Sequence, residues 1–365
     1  MKVDVCEILI VEDDEGTRQS WMRDIRDFNR TPGAAFRFQA TFSINKRQAM
    51  EALSRTRFDC AVIDLRLPDG DVETGAAHPL GNDVLQKLLM EIGIPTVVYS
   101  GYEGEASEII RLSNIRVHTK RGGEGAKILV SFEAQAGLMA AMEATRSRIA
   151  KATALLFNQS IWHRWETRWS KEEDKDMISE VIARQTVSHI ADAMGQVPSN
   201  HHPDEFYVVP ALYVDRIDTG DLMDLDGQIH VVLTPRCNMA NKPPSHLMLA
   251  VCSAMPEWSQ WKDHFLTGGT KQKIKAEKDL RSHANQGHGI ATHFLPPLDG
   301  AGPWLVDFQE VRTVKSEDIP ALLPKRFATI APHFVPNLVQ RYTSYLGRIG
   351  QPNINTDILS QLCQR

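Results

Sequence analysis

The stretch ILIVEDDE (8–15) joins four apolar residues directly to four acids. A buried strand ending in a carboxylate cluster is costly unless a positive charge sits at that end. Working outward, apolar runs alternate with amphipathic ones. A strand over 6–11 precedes a helix over 16–28 that carries Trp21, Ile25 and Phe28. A second strand over 36–42 and a helix over 45–57 follow. FDCAVIDLRLP (58–68) is a continuous apolar run of the kind that is covered on both faces. The spacing then predicts a helix over 81–92, a strand at PTVVYSG (95–101), a helix over 103–112 and a last strand at IRVHTK (115–120). Alternating strands and helices imply a parallel, doubly wound α/β sheet with its chemistry at the carboxyl ends of the strands.

On that sheet the strand ends bring Glu12, Asp13, Asp64, Ser100 and Lys120 to one rim, with Asp14 just beyond. Three carboxylates repel, and a hard divalent ion held by oxygen relieves them. Mg²⁺ suits such a rim because it takes one or two carboxylates, keeps several waters and leaves room for a phosphoryl oxygen.

Through ILIVEDDE, VIDLRLP, VVYSG and VHTK, residues 6–121 resemble the receiver domain of bacterial two-component response regulators. The resemblance implies a flavodoxin-like five-stranded fold, phosphorylated on Asp64 by a histidine kinase or a small phosphodonor. It implies Asp13 as the main Mg²⁺ ligand, Glu12 binding through water, and the carbonyl of Arg66 completing the protein ligands. Lys120 would steady the transferring phosphoryl group and Ser100 would turn inward to report it. Two positions depart from that pattern. Arg121 stands where a proline usually follows the lysine, and Val117 where an aromatic usually lies. The segment PDGDVETGAAHP (68–79) is longer than the usual loop and reads either as a lid or as a tolerated surface insertion.

Composition sets the outer limits. The chain has 365 residues, 42% hydrophobic and 24% charged, with a net charge of -5, so no global field favours nucleic acid or an anionic membrane. Its five cysteines are scattered without CxxC spacing, which suits reduced thiols, and no membrane span or signal peptide is legible; a cytoplasmic protein is expected. Three parts follow: a receiver domain over 1–123, a helical connector over 124–200 and an α+β domain over 201–365 with a small β-barrel or mixed sheet. Residues 124–157 read as one long helix, either a signalling or dimerising element or a helix that packs under the second domain. The stretch continues into SIWHRWETRW (160–169).

The last part carries no legible helix-turn-helix, P-loop or nucleotide-cyclase signature. KQKIKAEKDLRSHANQ (271–286) is a basic helix that reads as a solvated face or as a phosphate contact. VVLTPRCNMANK (231–242) presents Arg236, Cys237 and Asn238 after a strand. Cys237 reads first as a buried structural thiol, and as a nucleophile only with His230 or His246 beside it. His283, His288 and His293 with Cys237 or Cys252 match no common zinc spacing. Short motifs here (VVLTPRCNMA, WLVDF, YLGRIG) resemble C-terminal portions of receiver proteins from bacterial conflict or phage-defence loci, and name no activity. The expected function is a response regulator signalling through protein contact with an effector or a second copy. A DNA-binding transcription regulator and a phosphate sink remain as alternatives.

Overall fold

The computed structural model describes residues 5–68, 80–105, 115–121, 123–195, 201–241, 244–348 and 353–363. The chain divides into two compact units, Met1–Val197 and Pro198–Arg365.

In the first unit, β1 (Val5–Val11), β2 (Arg37–Ser43), β3 (Cys60–Ile63), β4 (Thr96–Ser100) and β5 (Arg116–Thr119) form one parallel sheet in the order β2-β1-β3-β4-β5. That is the flavodoxin-like order, with its switch point between β1 and β3. Alternate residues of each strand enter opposite cores, because successive side chains of a strand point to opposite faces. Ile8, Ile10, Val62, Val97 and Tyr99 pack under Trp21 and Ile25 of α1 (Glu15–Phe28), together with Ile128, Leu129 and Phe132 of the helix Glu124–Glu133. Leu9, Val11, Ala61, Ile63 and Val98 pack under α2 (Lys46–Arg55) and α3 (Gly81–Lys87). Residues 69–79 of the segment read as a lid or a surface insertion, and most of the helix expected over 103–112, lie outside the described residues; Glu103–Glu105 is a single 3₁₀ turn.

The helical segment departs from its expected form. In place of one helix from 124 to 157, Glu124–Glu133 closes the first core and the chain breaks at Ala134 and Gln135. The helix Ala136–Leu156 then runs into a π-helical turn, Phe157–Ile161, and the short helix Trp162–Thr167. The helix Lys175–Gly195 turns back along it, with Leu156, Ile161, Trp169 and Ile178 forming a small core at the turn. Trp169 plugs that core at 1% exposure. A hairpin therefore replaces the single rod, because Trp169 can be buried only if the chain reverses around it.

The second unit holds seven strands: β6 (Tyr207–Val208), β7 (Asp221–Leu225), β8 (Gln228–Val232), β9 (His246–Ala254), β10 (Thr292–Leu295), β11 (Trp304–Lys315) and β12 (Arg326–Ile330). Their order is β10-β11-β9-β8-β7-β12-β6, a curled antiparallel half-barrel. β11 bulges between Asp307 and Val311, the kind of irregularity that bends a strand and increases its twist. One face packs Leu222, Val231, Ala250, Val306 and Ile330 under Leu338 of the helix Val335–Leu346. The other packs Met223, Val232, Leu247 and Leu249 against Leu322. Beside the sheet, Trp261 and Ala276 anchor the helices Glu257–Thr267 and Thr270–Ala284 on Met255 and Phe294.

His293 of β10 is 1% exposed, and neither ring nitrogen has a hydrogen-bond partner. Burial pushes its pKa from 6.5 down to about 3, and burial with the neighbouring His283 and Arg341 takes His288 down to about 4. Both folded values lie below the unfolded value, so the unfolded chain takes up protons first as the pH falls. The stability of the second unit should therefore decline from about pH 6.5 downward. Urea unfolding at neutral and at mildly acidic pH checks this. The acid loss should be smaller in His293→Leu than in the unsubstituted protein.

Candidate phosphoryl-transfer site

The acids of ILIVEDDE divide according to where β1 stops. Asp14 N-caps α1, its Oδ1 accepting from the amide and hydroxyl of Thr17 at 2.7 Å each, and those bonds hold its pKa below the usual carboxylate range. Glu12 and Asp13 remain at the end of the strand. Glu12 is 1% exposed and Asp13 is exposed at the rim; Arg18 donates to the carbonyls of both, at 2.9 Å for Glu12. Asp64, at the end of β3, is buried, and its Oδ1 accepts from the Arg66 amide at 3.3 Å. Glu12, Asp13 and Asp64 each place a carboxylate oxygen within 4.8 Å of the others, the one such grouping of metal-ligating side chains among the described residues.

Lys120 provides the counter-charge. Its Nζ lies 2.7 Å from Asp64 Oδ2 and 2.7 Å from Glu12 Oε1. Burial works against the ammonium, but the hydrogen bonds to Asp64 and Glu12 outweigh it and keep its pKa above the usual lysine value. One ammonium does not balance three carboxylates. Burial, opposed by Lys120, still raises Glu12 to about 7, and burial followed by the charge of Asp64 raises Asp13. Ser100 is fully buried at the end of β4, and its Oγ accepts from the Tyr102 amide at 3.3 Å. The Arg66 side chain turns away, pairing with Glu105 (Nε to Oε2, 2.9 Å) and stacking 3.5 Å over the Tyr102 ring. Glu12, Asp13, Asp64 and Lys120 come together at the rim, with Ser100 at the end of β4.

Two residues that sequence reading passed over support the site. The Tyr99 hydroxyl donates to the carbonyl of Arg121 at 3.2 Å, and the Glu124 amide donates to the same carbonyl at 3.3 Å. These bonds hold the turn after Lys120 where a proline was expected to stiffen it. The only sequence signal was a polar atom on a residue of the strand predicted at 95–101. Gly81 opens α3, its amide donating to the Leu65 carbonyl at 2.9 Å. A Cβ there would lie 2.0 Å from the Asp64 carbonyl oxygen and 2.7 Å from the Leu65 Cα. Only glycine lets α3 pack this close to the backbone of Asp64.

The second unit's candidates do not converge. Cys237 is exposed on the short helix Arg236–Asn241, which corrects the buried reading, and its Sγ lies 3.6 Å from Asn238 Oδ1. His230 is buried and its Nδ1 bonds the Gln228 carbonyl, while His246 Nδ1 lies 3.3 Å from Ser245 Oγ; the hydrogen-bond partner of Cys237 is Asn238. Arg236 anchors the turn through Asp218, 2.9 Å away. His283 and His288 stack at 4.7 Å, and with His293 and the cysteines they form no three-ligand group among the described residues. The lysines of Thr270–Ala284 lie on an exposed surface, with Ala276 buried beneath.

Two outcomes follow from this geometry. Gly81→Ala should cost about 1–3 kcal/mol in denaturant unfolding, because backbone must move to admit the methyl. The raised Glu12 pKa means that stability from this group is present below pH 4.5 and lost as the pH rises through about 7. That is roughly 3 kcal/mol over the interval in metal-free protein. Glu12→Gln should remove the slope, read as the difference between variant and unsubstituted stability across that range.

No family model matches the chain, and no curated protein matches it. Solved structures similar to its N-terminal part include a CheY-like response regulator receiver domain protein from Methanospirillum hungatei JF-1. It is 17% identical, over 38% of this chain and 98% of that one, with a TM-score of 0.28. The non-phosphorylated HemR receiver domain from Leptospira biflexa is 24% identical, over 36% and 94%, with a TM-score of 0.27. The response regulator protein TrrA from Thermotoga maritima, in complex with Mg²⁺-BeF, is 15% identical, over 35% and 98%, with a TM-score of 0.27. Each of these likenesses covers the N-terminal part of the chain.

Proposed function

We propose that the chain is a response regulator that accepts a phosphoryl group on Asp64 and signals through its C-terminal unit by protein contact. The observation that carries this reading is the position of Lys120, 2.7 Å from both Asp64 and Glu12 at the carboxyl end of a 2-1-3-4-5 sheet. An ammonium shared between a buried carboxylate and its acidic neighbour is placed to follow charge as it moves onto a phosphoryl group.

In the reaction, an Asp64 oxygen attacks phosphorus in a phosphohistidine or a small phosphodonor. The P–N or P–O bond of the donor breaks, its leaving group departs with the bonding pair, and an acyl phosphate remains on Asp64. Lys120 exchanges its bond to Asp64 Oδ2 for one to a phosphoryl oxygen, and needs no large movement to do so. Ser100 Oγ can turn from the Tyr102 amide to donate to the phosphoryl group, freeing the segment that begins at Tyr102. The other ties on that segment are the Arg66–Glu105 ion pair and the hydrogen bond from Asn82 Nδ2 to the Glu105 carbonyl at 3.1 Å.

The donor set fits Mg²⁺: three carboxylate oxygens within 4.8 Å, two of them on groups whose pKa values are raised by burial and then by the charge of Asp64. Asp13, Glu12 and Asp64 with the carbonyl of Arg66 would hold the ion, which when bound offsets negative charge on the phosphoryl oxygens. Glu12 Oε1 is already engaged by Lys120 and the Asp14 amide, whereas Asp13 is exposed at the rim. Asp13 is therefore the direct ligand in this reading.

Purified protein should gain one phosphoryl group from acetyl phosphate with Mg²⁺, and Asp64→Asn and Asp64→Ala should not; intact-mass measurement decides, and labelling retained in both variants overturns the assignment. By calorimetry, Asp13→Ala should weaken Mg²⁺ binding by about tenfold or more, and Glu12→Gln by less. Equal affinity in Asp13→Ala and unsubstituted protein contradicts the ligand assignment.

A further inference from the structure

We propose that the helical hairpin of the first unit is half of a four-helix bundle, completed by the hairpin of a second copy of this chain. On Ala136–Leu156 the residues Leu138, Met142, Thr145, Ile149, Ala152 and Leu156 repeat at alternating steps of four and three, the spacing of a bundle seam. Toward the turn this seam is covered: Ala152 and Leu156 are buried, with Leu156 against Ile178 in the small core. Toward its start it is open, with Leu138 at 54%, Met142 at 40% and Ile149 at 38% exposure. A helix inside a bundle of four points its seam at the bundle axis, where its hairpin mate covers one side and the opposite hairpin the other. A seam half covered in this way is what one hairpin of such a bundle presents.

The occupant follows from area and charge. Each long helix has 21 residues, a length of about 32 Å at 1.5 Å per residue. Two such helices side by side present a face of roughly 600 Å², near the ~800 Å² per partner of a stable interface. The charges are self-complementary. Ala136–Leu156 carries exposed Arg148 and Lys151, its Arg146 and Glu143 being engaged by the Ile92 and Gly93 carbonyls and by Arg57, while Lys175–Gly195 carries the acids Asp176, Glu180 and Asp192, with Glu180 paired to Arg184. A two-fold axis that lays the first helix of one copy along the second helix of the other brings the cationic helix onto the anionic one twice, as an isologous interface requires.

Sedimentation of the full-length, unphosphorylated protein from low micromolar to about 100 µM tests this. The expected result is a reversible dimer of twice the 41.0 kDa chain mass. Leu138→Glu with Met142→Glu should weaken it by about 100-fold or more. Both side chains are exposed, so the circular dichroism should not change. Asp64→Asn should dimerise like the unsubstituted chain, which separates this result from the phosphoryl-transfer reading. A monomer throughout the range overturns the proposal, as does a dimer indifferent to the double substitution. A monomer that co-floats with phosphatidylglycerol vesicles also overturns it and assigns the seam to a lipid surface.

Discussion

The ammonium of Lys120 lies between Asp64 and Glu12, and the geometry of the first unit serves that contact. Burying carboxylates at a sheet end is tolerated because β5 runs beside β4 and delivers a cation to the same rim. The aim of that cation depends on the turn behind it, which Tyr99 holds through the Arg121 carbonyl while its ring meets Trp21 edge-on in the core. The acids depend on an equally local device. Because Asp14 is spent as a helix cap, only Glu12 and Asp13 remain to join Asp64. Gly81, with no side chain to intrude, closes α3 over the backbone behind Asp64. Charge balance at the rim and dry packing beneath it are thus one problem, solved by the same residues.

The second unit buries charge differently. Asp221 is fully buried, yet it accepts from Thr329, from the Asp218 amide at 2.8 Å and from Arg326 Nη1 at 3.2 Å. Arg326 in turn donates to the carbonyls of Tyr213, Val214 and Arg216. With Asp221 and Arg326 each hydrogen-bonded on several sides, this network fastens the 213–221 segment to β12. Removing either charge would strand the other in the core, so the pair reads as architecture. The contrast explains why acids at the end of β1 and β3 invite a chemical reading while the acids beside β7 do not.

The hairpin lies between these extremes. Its two long helices are apolar on more than one side, and helices of that kind are normally enclosed by neighbours. Within the first unit the neighbours supply only part of the cover: Arg57 pairs with Glu143 at 3.4 Å, and Arg146 donates to the carbonyls of Ile92 and Gly93. These contacts fix the start of Ala136–Leu156 against the receiver-like core. Along its seam the helix stays open at Leu138, Met142 and Ile149 and is covered at Ala152 and Leu156.

By itself the sequence determined the flavodoxin-like unit and its rim. Period-two burial and helical spacing are local properties, and ILIVEDDE, VIDL, VVYS and VHTK put polar residues where apolar runs end. Parallel strands must then bring those ends to one side, so Glu12, Asp13, Asp64, Ser100 and Lys120 could be placed together before any coordinates. Local properties did not reach the places where distant segments meet. Residues 124–157 kept a helical period throughout, but burying Phe132 in one core and Trp169 in another required a break and a reversal that periodicity does not encode. Tyr99 was legible only as a strand residue and Gly81 only as the start of a helix; the meeting of the Tyr99 hydroxyl with the backbone beyond Lys120, and the close approach of α3 to the backbone of Asp64, were not. The antiparallel order of the second sheet was equally invisible, because pairing depends on which strands cover each other's apolar faces. Tertiary structure alone decided these points, since each rests on a contact between segments far apart in the chain.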